Sequence, residues 1–124
     1  MMMARFAGQL VLDAGLDVLA GADRLVVLAG QPADFAAAMA APLAQTPVLP
    51  GDFAKADAPG GGRQLAVAAR PGLAALATGT ADHIALIDVA AQRLLYVTTC
   101  PPQPVLAGAA VAVAAWTVTI GAPI

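Results

Sequence analysis

The last twenty residues, "VLAGAAVAVAAWTVTIGAPI" from Val105 to Ile124, carry no charge. A hydrophobic α-helix needs about 20 such residues to span a bilayer, so this stretch decides between a membrane anchor and a strand. Its pattern favours the strand. Val111 and Val113 alternate with Ala112 and Ala114. Past Ala115, the residues Trp116, Val118 and Ile120 alternate with Thr117 and Thr119. Period two with β-branched residues and interleaved threonines suits a pleated strand with one buried face. The phase slips between Val113 and Trp116, which predicts a bulge or bend at Ala114–Ala115. Gly108 and Gly121 bracket the run, and no Lys or Arg follows it to anchor a membrane interface. A final strand is expected, and no membrane partner.

The same period recurs upstream. "QLAVAA" (Gln64 to Ala69) alternates. "DHIALIDV" (Asp82 to Val89) sets His83, Ala85 and Ile87 on one face and Ile84, Leu86 and Asp88 on the other. "AAQ" reads as a short turn, and "RLLYVTT" (Arg93 to Thr99) as the hairpin partner. Pro101, Pro102 and Pro104 are expected to stop regular structure there. Before these, "RLVVLAG" (Arg24 to Gly30) reads as a short buried strand. "QPADFAAAMAAPLA" holds an Ala-rich turn of helix, begun near Asp34 and closed before Pro42.

Phe6 to Ala20 predicts a helix. Phe6, Leu10, Val11, Ala14, Val18 and Leu19 make an apolar face, with Gln9, Asp13 and Asp17 opposite and Gly21 as the stop. This helix packs on its own domain or docks to a partner. Asp13 and Asp17 interrupt the apolar stretch that a secretory signal would need. The expected organisation is a helix at 1–22 and one β-rich domain at 23–124, with a Pro/Gly-rich loop at 42–62 and a short extended segment around Val48. The expected fold class is mostly β, an antiparallel sandwich or partly open barrel with one N-terminal helix.

Composition narrows function by exclusion. The chain has 124 residues, enough for one modest core. It is 60% hydrophobic but only 4% aromatic. Much of that apolar content is Ala, which buries little area, so the core is thin and neighbouring subunits are expected to add stability. Net charge is −2 with no basic run, so the electrostatic footprint of a nucleic-acid binder is missing. The sequence contains no Ser, Glu or Asn, and all eight acids are Asp.

Nucleophilic catalysis needs Ser, Cys or Thr beside a base. The lone Cys100 and lone His83 both fall near strand ends, where contact is possible, but no third orienting group accompanies them. One His and one Cys do not give the ligand spacing of a metal centre. Adjacent on a strand, Asp82 and His83 are expected to point to opposite faces, which leaves His83 a structural residue. Asp82 and Asp88 read as turn and strand-end residues, and the scattered aspartates carry no glycosidase spacing. The Gly60–Gly62 triplet is followed by Arg63-Gln64 where a phosphate loop needs Lys and Ser or Thr, so it reads as a hairpin or loop tip. Trp116 reads as a core residue. No catalytic, cofactor-binding or metal-ligating residue is assigned, and no small-molecule substrate is expected.

Three stretches resemble a family of small virion proteins of tailed bacteriophages and related prophage particles. The first is a strand running into Gly-x-Pro-Ala, here Gly30 to Ala33. The second is a Thr-Ala strand ending in Asp, here Thr80 to Asp88 with one extra residue. The third runs from Val105 to Val118 through Ala107-Gly108, Val111, Val113 and Trp116. The segment from Asp34 to Asp57 departs from that pattern. The resemblance implies an architectural role without catalytic residues. It implies a virion location, with other virion proteins and copies of the chain itself as partners, most simply as a decoration or cement protein on the head. A tail, neck or tail-tip component is the alternative within the class. A small-molecule or carbohydrate-binding β-module is the alternative outside it. The N-terminal helix and the loops Pro42 to Gly62 and Pro101 to Pro104 are the expected contact elements.

Overall fold

The computed structural model describes residues 9–59 and 61–120. Along the chain come α1 (Gln9–Ala20), β1 (Arg24–Leu28), α2 (Phe35–Ala40), β2 (Ala44–Pro47), a 3-10 turn (Pro50–Asp52), β3 (Phe53–Asp57) and β4 (Arg63–Val67). β5 (Arg70–Ala74), β6 (Gly79–Asp88), β7 (Arg93–Val105), β8 (Ala110–Val113) and β9 (Trp116–Ile120) complete it. All pairings are antiparallel. They form a four-stranded sheet in the order β2-β1-β6-β7, a three-stranded sheet β3-β4-β9, and the pair β5-β8. The protein is mostly β, as its alternation predicts.

Period two explains how the layers stack. On β6, Ile84 and Leu86 face the main core, while Ala85 and Ile87 face the other side, where Phe35, Ala38 and Met39 of α2 cover them. Asp34 caps α2, accepting a hydrogen bond from the Ala37 amide at 2.8 Å. Across the main core stand Val67 of β4 and Val111 and Val113 of β8. The large sheet thus packs on the two smaller ones as a sandwich.

The three-stranded sheet shows its register residue by residue. Phe53, Val67 and Trp116 align, as do Lys55, Leu65 and Val118, and then Asp57, Arg63 and Ile120. Its inner face therefore grades from aromatic at one end to charged at the other. α1 lies over this face and closes one end of the sandwich with Leu16 and Leu19, which pack on Leu65 and Val118.

That grading changes the faces expected for the helix at Asp13, Ala14 and Val18, while Leu19 is buried and Asp17 exposed as expected. Asp13 is buried and Val18 is 59% exposed. Arg63 lies under the helix and draws Asp13 inward, Asp17 stays exposed while pairing with Lys55, and Ala14 and Val18 turn outward. The expected helix start at Phe6 lies outside the described residues.

Three other expectations change. The segment 42–62 is not one irregular loop, because it supplies β2 and β3, the outer strands of two sheets. Pro42, Pro47 and Pro50 sit before, at the end of and just after β2, where no ladder donor is lost. Only the tip of the β3–β4 hairpin is glycine-driven, with Gly61 and Gly62 at φ of 104° and 86°.

Next, Pro101, Pro102 and Pro104 do not end the strand. β7 runs on to Val105 because it is the edge of its sheet, and a proline on a free edge gives up no partner. A wide bulge takes up two of the prolines. Ala81 pairs with Gln103 and His83 with Thr99, so Asp82 alone faces Cys100, Pro101 and Pro102. A second bulge follows from Leu86 pairing with Tyr96 and Ile87 with Leu94. It turns the neighbours Leu95 and Tyr96 to the same core.

Finally, the C-terminal run is two strands. The phase slip at Ala114–Ala115 is where the chain leaves β8, paired with β5, for β9, paired with β4.

The β6–β7 turn contains Gln92 at φ 55°, the sole non-glycine residue with positive φ among those described. Its backbone is otherwise well held. Asp88 accepts from the Ala91 amide at 3.0 Å, and Asp23 accepts from the Val89 amide at 2.8 Å. A left-handed conformation costs an L-residue roughly 1–2 kcal/mol and glycine much less. Gln92 is exposed, so Gln92→Gly should raise stability by about 0.5–1 kcal/mol despite its unfolded-state entropy. An unchanged or lower urea midpoint would contradict this.

Candidate functional site

Past the Tyr96–Trp116 stack, the sandwich opens. The two rings lie 6.0 Å apart with 20° between their planes, and they join β7 to β9 across the layers. Beyond them the β7 edge from Thr98 to Gln103 and the chain from Val111 to Thr117 stand apart. They enclose a cavity of about 440 Å³.

The floor of this cavity is the core itself. Val27, Ala81, Ile84, Val111 and Val113 line it and each is at most 7% exposed. Its walls are small: Cys100 on one side, and Ala112, Ala114 and Ala115 at the strand switch on the other. The alanines are exposed and flank the switch between β8 and β9, where the chain leaves one sheet for the other. Polar groups sit at the rim, where Thr99, Gln103 and Thr117 are exposed. No charged side chain lines the cavity. Trp116 is half-buried, between a core position and an open one. Its indole N–H is enclosed and finds no hydrogen-bond partner among the described residues.

Beside the cavity, the bulge brings together two residues expected on opposite faces. Asp82 Oδ1 lies 2.7 Å from His83 Nδ1 and accepts from the Gly30 amide at 2.7 Å. Because Asp82 faces three residues rather than one, the strict up-down alternation of β6 is broken there. The His83 hydrogen bond, then that of the Gly30 amide, holds the Asp82 carboxyl below its ordinary range. The group clasps the end of β1 to the start of β6.

It does not activate Cys100, whose neighbour across the ladder is Asp82. Burial, and then the Asp82 charge, push the Cys100 thiol up, whereas a nucleophilic cysteine needs the opposite shift. Among the described residues no three His, Cys or Asp side chains gather as metal ligands. No described helix is long and apolar enough to cross a membrane.

No family model matches the chain, and neither does any curated protein or solved structure. The geometry therefore carries the argument alone. A second polar constellation lies at the far end, under α1. Arg63 Nε donates to Asp13 Oδ1 and its Nη1 to Asp57 Oδ1, both at 2.8 Å. Lys55 pairs with Asp17. These pairs seat the helix on β3 and β4.

They also give the protein an acid-sensitive element. The Arg63 hydrogen bond holds the Asp13 carboxyl below its ordinary value, partial burial working against it. A depressed carboxylate contributes stability that is complete above its unfolded value of about 3.9 and fades as pH falls through the folded one. Arg63→Met should therefore be less stable than the parent at neutral pH, and the gap should narrow as the pH drops below about 4. Urea midpoints across that range check it. A gap that held constant into acid would show that the pair is not linked to folding.

Sequence reasoning missed the cavity. The signal was present at Ala114–Ala115, where a phase slip coincides with a run of minimal side chains.

Proposed function

We propose that the chain is a virion structural protein of a tailed bacteriophage or related prophage particle, assembled in symmetric copies and most simply decorating or cementing the head. The observation that carries this reading is the convergence of the three resembling stretches. Gly30 to Ala33 follows β1, and the Gly30 amide is held by Asp82 of the second stretch at 2.7 Å. The second stretch supplies the central strand β6 of the large sheet. The third forms the β8–β9 switch, which meets Ala81 and Ile84 of β6 across the cavity. Short apolar motifs far apart in sequence thus build one connected piece of architecture, which supports this reading.

The surface supports an assembled role. Leu76 and Leu106 are 54% and 66% exposed. They lie on adjoining turns, since the Gly108 amide donates to the Ala75 carbonyl at 2.9 Å. Exposed large apolar side chains of this kind are common where a subunit meets a neighbour. The contact elements under this reading are the turns at 75–78 and 106–109, the outward face of α1, Leu49 (67% exposed) within 42–62, and the exposed edge Pro101 to Pro104.

The test is location. Purified particles probed with an antibody to the chain, and by mass spectrometry, should contain it in many copies on the head surface. Particles that lack the protein would overturn the reading. Label on the tail alone would move it to the tail alternative. Leu76→Asp with Leu106→Asp should leave the fold intact and weaken attachment.

A further inference from the structure

We propose that the cavity between β7 and the β8–β9 switch is a binding site for a compact, neutral, largely apolar small molecule. This goes beyond the virion reading and does not depend on it.

Three features select that class of ligand. The space, about 440 Å³, falls within the roughly 300–1,000 Å³ typical of small-molecule pockets. Its floor consists of buried core side chains, so a ligand there extends the core rather than resting on the surface. No charged side chain lines it, and an ion would lose hydration there without a partner.

The same residues reject other occupants. A sugar needs a fan of hydrogen bonds, but Thr99, Gln103 and Thr117 lie at the exposed rim, which leaves only the half-buried Thr98 hydroxyl and the enclosed Trp116 indole N–H deeper in. A peptide strand needs main-chain donors. On the β7 side that pairing is blocked, because the edge bordering the cavity is bulged and carries Pro101 and Pro102, which have none. The Cys100 thiol stays neutral beside Asp82, which keeps that wall uncharged.

The sequence provides its own reporters, because the single Trp and the single Cys both line the site. The full-length protein is titrated with N-phenylnaphthylamine, a neutral apolar probe that fluoresces when buried. Binding should saturate at about one probe per chain, quench Trp116 in parallel, and raise the melting temperature with probe concentration. Ala114→Leu and Ala115→Leu, both at exposed wall positions, should each weaken binding about tenfold or more without lowering the melting temperature. Alkylating Cys100 of the folded parent protein with N-cyclohexylmaleimide should block the site with no mutation at all. Non-saturating binding would overturn the proposal, as would binding indifferent to both the filled walls and the alkylated thiol. Tighter binding of glucose or of the anionic anilinonaphthalene sulfonate would overturn the assigned class.

Discussion

Leu86→Ala is expected to lower the unfolding free energy by about 2–5 kcal/mol. Leu86 is fully buried on β6, the strand next to the edge of the large sheet, between Leu25 of β1 and Tyr96 of β7. Truncating it removes contacts on both sides, and its strand neighbours are held by ladders that limit collapse into the void. Domains of this kind have only about 5–15 kcal/mol to lose. The many alanines of this core leave few large side chains able to compensate. Urea unfolding should show a lower midpoint at an unchanged slope. A loss below about 1 kcal/mol would mean that the β1–β6–β7 core is not packed as described.

Leu16→Ala is expected to cost a similar amount, about 2–5 kcal/mol, although it sits on the first helix rather than in a sheet. Leu16 is fully buried and packs against Leu65 and Val118. Val18, two residues on, is 59% exposed. Val18→Ala should change stability by no more than about 0.5 kcal/mol. The contrast separates two roles for α1. A helix reserved for a partner would tolerate both changes in the free protein. A helix that closes the end of the sandwich tolerates only the second. It follows that deleting residues 1–20 would uncover core, so assembly is better tested at Leu76, Leu106 and Val18 than by truncation.

What could be read from the sequence was whatever depends on near neighbours. The alternation in "DHIALIDV" gave the two faces of β6 correctly, because a pleated strand enforces period two whatever it packs against. The slip at Ala114–Ala115 marked a real discontinuity for the same reason. Residues whose role depends on position within a sheet were not legible. Nothing in "TTCPPQPV" says that its strand lies at an edge, and only an edge lets three prolines continue it. The bulge that follows from them also brings Asp82 onto His83, against the alternation. Helical periodicity sorts residues by polarity and so predicts a polar outer face for Asp13. Arg63, fifty residues away in sequence, reverses that choice. The cavity was hidden on both counts, since small residues at a chain switch look like any Ala-rich strand until the opposite wall is in place.

The proline-bearing edge has a consequence for crowding. At high local concentration a long bare strand pairs edge to edge and seeds fibrils. Along the distal half of β7, the missing amide hydrogens and the bulge deny an incoming strand its hydrogen-bonding template. Along that stretch, neighbouring molecules meet through side chains rather than by strand pairing. Contacts of that kind end where the geometry closes, whereas strand-to-strand growth has no natural stopping point.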